Sequence, residues 1–120
     1  MTTRLSTPVR RSEPTEAQIT KAVMQHWHAR RLPQTLVASI PNMGARGQYG
    51  LTPGLPDLLV LAPGLPVGFI GLKTERGPIS KHQLAFRDLC ISVGANMCIP
   101  RGLDQAIDVL EGWNVIRRSS

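Results

Sequence analysis

Asp57 and Lys73 are the residues of this 120-residue chain best placed to do chemistry together. Asp57 closes a Gly54-Leu55-Pro56-Asp57 run and opens the apolar stretch Leu58 to Leu61, while Lys73 closes a second apolar stretch that starts at Val67. On neighbouring strands, a carboxylate at the start of one and a lysine at the end of the other converge at one end of a sheet. Hard divalent ions require oxygen ligands, which a carboxylate, backbone carbonyls and water provide. A lysine beside such an ion can orient or deprotonate an attacking water and offset phosphate charge. Strand alternation sets Phe69, Gly71, Lys73 and Glu75 on one face and Ile70 and Leu72 on the other. An acid at position 71 would therefore point the same way as Lys73, and the glycine there supplies no ligand. Each residue also has a plainer role. Asp57 serves as well to cap a loop, Lys73 to solvate a strand end, and Gln83 to cover a helix surface.

The elements that must position these residues follow from local signals. Thr15-Glu16-Ala17-Gln18 fits a capping box, and Ile19, Val23 and Trp27 recur behind it at helical spacing. The helix they predict runs to about Arg31 and stops before Pro33. Glu16 falls in its first turn, where a carboxylate complements the helix dipole whatever else it does. Leu36 to Ile40 reads as a short strand, followed by a glycine-rich loop from Pro41 to Pro56 that holds Arg46 and Tyr49. Asp57 to Leu61 and Val67 to Lys73 read as two strands of a hairpin joined by the Ala62-Pro63-Gly64 turn. Ser80 caps a second helix that Gly94 terminates. A strand from Asn96 to Ile99, a helix from about Leu103 to Glu111, and an edge strand from Trp113 to Ile116 complete the chain. The order α-β-β-β-α-β-α makes an α/β domain with a mixed sheet flanked by helices.

The length suits one domain, and 42% hydrophobic residues suffice for a packed core. Residues 1–12 read as a disordered basic arm, 13–116 as the domain and 117–120 as a basic tail. Fourteen Lys and Arg against 8 Asp and Glu give a formal net charge of +6. That balance favours polyanionic partners through long-range attraction and counterion release. Cys90 and Cys98 are too few for a disulfide framework and read as buried free thiols of a reducing compartment. No apolar run approaches a membrane span, and the polar, basic N-terminus is no secretory signal. An intracellular protein is expected.

Taken together, Glu16, Gly54-Leu55-Pro56-Asp57, a strand ending at Leu72-Lys73, Gly77-Pro78-Ile79-Ser80 and Gln83 resemble the virus-type replication-repair nuclease (VRR-NUC) family. That family belongs to the PD-(D/E)XK superfamily, and the resemblance runs from about Glu16 to Trp113. It implies a restriction-endonuclease-like fold and a Mg²⁺- or Mn²⁺-dependent phosphodiesterase acting on DNA. Stand-alone members of phage type are homodimers that act on branched DNA such as four-way (Holliday) junctions, in replication, recombination or repair. Bacterial or phage-infected cytoplasm would be the setting. By the same resemblance, Asp57 is the main metal ligand and Glu16 the helix carboxylate. The Leu72 carbonyl is a backbone ligand, Lys73 the catalytic lysine and Gln83 a polar group lining the site. Position 71 departs from the pattern, having Gly71 where glutamate is expected.

Gly71 admits three readings: a natural loss of catalysis, a substitution that silences the nuclease, or rescue by a nearby acid, for which Glu75 is the candidate. An impaired site is the favoured one. Two residues along a strand move a carboxylate by roughly 6–7 Å, too far for direct replacement in a metal shell with bonds of about 2.0–2.6 Å. The expected function is a junction-type endonuclease, weakened or lost in this chain. The alternative is an inactive nuclease fold that binds DNA or protein. Arg46, Arg76 and Lys81 are the expected phosphate contacts, assisted by Arg10 and Arg11 and by Arg117 and Arg118. His26, His28 and His82 read as surface or packing residues, and Trp27 and Trp113 as core or interface residues.

Overall fold

The computed structural model describes residues 13–41 and 52–119. The expected basic arm, Arg46 and most of the glycine-rich loop lie outside the described residues. Three helices and four strands follow in the expected order: α1 (Glu16–Arg30), β1 (Leu36–Ser39), β2 (Leu58–Ala62), β3 (Leu65–Ile70), α2 (Lys81–Val93), β4 (Asn96–Cys98) and α3 (Gly102–Gly112). The sheet order is β1-β2-β3-β4, with the first three strands antiparallel and β4 parallel to β3. This is the expected mixed sheet flanked by helices.

Both long helices start at the residue the sequence marks as a cap, and each start is a capping box. Thr15 accepts from the Gln18 amide while the Gln18 side chain accepts from the Thr15 amide, and Ser80 and Gln83 repeat the arrangement at α2. Each box satisfies two amides that the first helical turn leaves without partners. Gly94 closes α2 in the left-handed conformation that glycine adopts at least cost.

One face of the sheet carries the core. Val37, Leu58, Val60, Ile70 and Leu72 pack there against Ile19, Val23 and Trp27 of α1 and Ala106 and Leu110 of α3. Trp27 donates its ring N–H to the buried Thr35 hydroxyl at 3.1 Å, so the polar edge of the indole is satisfied inside. On the other face α2 packs against β4, and its Phe86 meets Phe69 edge-on with ring centroids 5.4 Å apart. Alternation along β3 thus separates a closed apolar side from the side that faces α2.

The first helix ends at Arg30, close to the expected Arg31, which is already extended. Several strand ends shift: β1 stops at Ser39 rather than Ile40, β2 spans Leu58–Ala62 rather than Asp57 to Leu61, β3 starts at Leu65 rather than Val67, and β4 stops at Cys98 rather than Ile99. β3 ends at Ile70 rather than Lys73. Beyond it the Leu72 amide turns to the Asp57 carboxylate instead of a strand carbonyl. On the other edge the Gly71 and Lys73 amides still bond to the Cys98 and Pro100 carbonyls. Residues 113–116 are not an edge strand. Asn114 adopts a left-handed φ of 59°, and the amides of Trp113, Asn114 and Val115 fold back on the carbonyls of α3. Only an isolated bridge between Ile116 and Arg31 remains of the expected pairing.

Candidate active site

Asp57 reaches its position through the loop before it. Gly54 has a φ of +84°, and a Cβ there would stand 2.4 Å from the His82 backbone carbon. Only glycine allows the loop this close to the first turn of α2. Pro56 is fully buried behind it. The chain then enters β2 with Leu58 and Val60 buried in the core, so alternation turns Asp57 to the α2 face. Continuing the Leu58↔Ile70 pairing by one residue sets Asp57 beside Gly71.

The Asp57 carboxylate accepts the Leu72 amide at 2.6 Å. Burial raises the affinity of this carboxyl for a proton above the ordinary aspartate value. The Leu72 amide and the charge of Lys73 oppose that rise without cancelling it. Lys73 is half-buried at the end of the same segment, and its Nζ lies 3.8 Å from Oε2 of Glu16 in the first turn of α1. Glu16, Asp57 and Lys73 thus gather from three separate elements.

Gly71 is buried, yet among the described residues a Cβ there would meet only the Met97 methyl at 3.4 Å and Ile99 at 3.9 Å, which is ordinary van der Waals contact. The backbone would present a side chain on the Asp57 side of the sheet, and packing leaves room for its first atom. Glu75 does not fill the gap. Its carboxylate leans toward the start of α3, with Oε2 3.8 Å from where a Cβ of Gly102 would be.

The remaining expected residues divide. Gln83 is employed as the cap of α2, its side-chain oxygen accepting the Ser80 amide at 2.9 Å. This is a structural role, and it ties up the oxygen the residue would otherwise offer to the site. Arg76, in the turn after Lys73, and Lys81, at the start of α2, are exposed and form no ion pair among the described residues. His82 is exposed on the first turn of α2. His28 stacks obliquely near Trp27 and His26 lies 3.4 Å from Arg30, so neither histidine joins the site. Trp27 is core, and Trp113 is half-buried against β3 at Gly68.

One residue at the site has no sequence signal. Arg101 donates from Nη1 to the carbonyls of Glu75 at 3.2 Å and Gly77 at 2.7 Å. Its backbone also pairs with Lys73. An arginine before a helix is unremarkable in sequence, and carbonyl partners more than twenty residues away leave no pattern to read.

No protein-family model matches the sequence, and no curated protein matches it. Solved structures do. One described as a VRR_NUC domain superposes with a TM-score of 0.60 at 24% identity, covering 82% of this chain and 96% of its own. Another, a VRR_NUC domain protein, superposes with a TM-score of 0.71 at 19% identity, covering 82% of this chain and 87% of its own. The chain has the VRR-NUC fold. At these identities the likeness is one of architecture, a nuclease-type fold, and the site must be argued from its own residues.

On that test the donors for a divalent cation fall short. Asp57 offers one carboxylate, partly engaged by the Leu72 amide, and Glu16 sits against Lys73. Among the described residues, no three His, Cys, Asp or Glu side chains are grouped to hold a metal ion. Among the described residues, position 71 has room for a Cβ on the same side of the sheet as Asp57.

Proposed function

We propose that this chain is a DNA endonuclease of VRR-NUC type directed at branched DNA, with hydrolysis weakened or lost because Gly71 stands at a ligand position. The reading rests on one observation above the others. Asp57, Lys73 and Glu16 converge at one sheet end, while Gly71 faces the same site with room, among the described residues, for a Cβ. A packing role would not require a half-buried lysine and a half-buried aspartate there.

The chain's own residues account for binding. Arg76 and Lys81 flank the site with no ion pair among the described residues, and the net charge of +6 favours a polyanion. Lys73 supplies a positive charge where a scissile phosphate would approach, and Asp57 is held by the Leu72 amide in a fixed orientation. Mg²⁺ or Mn²⁺, when bound, would stabilise charge on the phosphate and lower the pKa of a water. Asp57, the Leu72 carbonyl, Glu16 and a carboxylate at position 71 would hold it. With glycine at 71 that set is incomplete. A homodimer in bacterial or phage-infected cytoplasm, serving replication or repair, belongs to the same reading. No helix among the described residues is long and apolar enough to cross a membrane.

A second reading, a nuclease fold retained for DNA or protein binding alone, is supported by the donor set at Asp57 and Glu16, which among the described residues gathers no third His, Cys, Asp or Glu. One assay separates the two. Single-stranded, duplex, flap and four-way-junction DNA are incubated with this chain and with Gly71→Glu in Mg²⁺ or Mn²⁺. The nuclease reading expects the substituted protein to cut the junction preferentially. If Gly71→Glu binds these DNAs and cuts none of them, the binding module is the better description. Sedimentation of the chain at micromolar concentration checks the homodimer.

A further inference from the structure

We infer that Arg101 is a positioning residue for phosphate binding, holding the turn after Lys73 so that Arg76 is presented beside the site. The inference rests on the DNA-binding part of the reading above and names a residue outside the site set. The turn runs Thr74-Glu75-Arg76-Gly77, closed by the Gly77 amide donating to the Thr74 carbonyl at 3.3 Å. Arg76 is its third residue, exposed and without an ion-pair partner among the described residues. A turn of this kind on a surface has few contacts of its own to fix it.

Arg101 supplies those contacts from across the fold. One guanidinium nitrogen bridges the Glu75 and Gly77 carbonyls, on either side of Arg76, at 3.2 and 2.7 Å. The residue's own backbone is anchored to the segment that carries Lys73. The Lys73 amide donates to the Pro100 carbonyl at 3.2 Å, and the Gly102 amide donates to the Lys73 carbonyl at 2.8 Å. Lys73 and the turn are therefore fastened to the same point at the start of α3. The Arg101 side chain is half-buried, with its charge directed at these carbonyls. Hydrogen bonds from a charged donor are roughly twice as strong as neutral ones. Ordering the turn before DNA arrives lowers the entropy lost when Arg76 meets a phosphate.

The consequence is a coupling between two cations, of which only one touches DNA. A four-way junction is titrated by fluorescence anisotropy in EDTA over a range of salt, with the full chain, Arg76→Ala, Arg101→Met and the double variant. Removing one phosphate contact reduces the slope of log affinity against log salt by about 1. Arg76→Ala and Arg101→Met are each expected to lose up to that amount, and the double variant no more than Arg76→Ala alone. Thermal melting keeps the comparison to folded protein, and Arg101→Gln replaces the methionine variant if that one melts near the assay temperature. Additive losses, about 2 in the double variant, would mean that Arg101 meets a phosphate itself and would overturn the inference. An unchanged slope in Arg101→Met would overturn it as well. If the unsubstituted chain binds no DNA, the functional reading fails first and takes this one with it.

Discussion

Gly68 in β3 and Gly71 just past its end face opposite sides of the sheet, and their surroundings could hardly differ more. A Cβ on Gly68 would lie 2.6 Å from Cζ3 of the Trp113 ring and 3.2 Å from a Leu65 methyl. The indole packs down onto the strand only because nothing projects from it. At Gly71 the nearest atom is the flexible end of Met97 at 3.4 Å. Neither glycine has a positive φ, so backbone strain requires glycine at neither position. Among the described residues, packing therefore explains Gly68 and leaves Gly71 without a structural reason. The core face admits no further atom at Gly68, whereas the face bearing Asp57 leaves room for a Cβ at Gly71.

The largest effect expected from this contrast is on chemistry. Gly71→Glu should raise Mg²⁺- or Mn²⁺-dependent cleavage of junction DNA by more than about 100-fold over the chain as it stands. Loss of partners that merely support metal ligands already costs about 10–100-fold. Adding Lys73→Ala to Gly71→Glu should return cleavage to background, since the lysine would then be missing from a completed ligand set. Persistent cutting in that double variant would move the chemistry away from Lys73.

Stability should respond with opposite signs at the two positions. Gly68→Ala pushes a methyl into Trp113 and should cost about 1–3 kcal/mol, the usual range for overpacking. Gly71→Ala meets no obstacle and should gain about 0.5–1 kcal/mol, because glycine loses more backbone entropy on folding. Urea unfolding of the two variants measures both. A loss of similar size at each would show that Gly71 is as tightly enclosed as Gly68 and that the room for a carboxylate is illusory.

How much of this was legible in the sequence follows from the range of each interaction. The capping boxes at Thr15 and Ser80 span three residues, and both were readable as helix starts. The Ala62-Pro63-Gly64 turn likewise announced the β2–β3 hairpin. The ends of elements were less legible where a side chain takes over from the backbone, as the Asp57 carboxylate does when it accepts the Leu72 amide and closes β3. Asn114 ended the extended reading of 113–116 with a left-handed turn that its apolar neighbours gave no sign of. Within the site, alternation along the strand correctly set Gly71 apart from the core residues Ile70 and Leu72. Gln83 was read as a site residue although its spacing from Ser80 equals that of Gln18 from Thr15, and the structure gives both glutamines the same capping role. The nearness of Glu16 to Lys73 and the reach of Arg101 depend on how α1 and α3 dock, which no local pattern encodes.

Two carboxylates extend the comparison of faces to pH. Glu111 of α3 is held below the usual glutamate range, chiefly by its hydrogen bond with Arg30 of α1, at 2.6 Å, and then by the Ser119 amide. A lowered folded-state pKa means stability that is present above the unfolded value and lost as pH falls through the folded one. Asp57 is shifted the other way by burial. Between its unfolded and its raised folded value the native state holds the extra proton, so stability falls as pH rises through that window. In metal-free buffer, Glu111→Gln should therefore be less stable than the parent at neutral pH, with the gap closing in acid. Asp57→Asn, which keeps an acceptor for the Leu72 amide, should be more stable at neutral pH, and its advantage should also vanish in acid. Melting temperatures across the carboxylate range would read both. Destabilisation by Asp57→Asn at neutral pH would mean that Lys73 and the Leu72 amide outweigh burial, and that the site, like the Arg30–Glu111 pair between α1 and α3, is built to hold its charge.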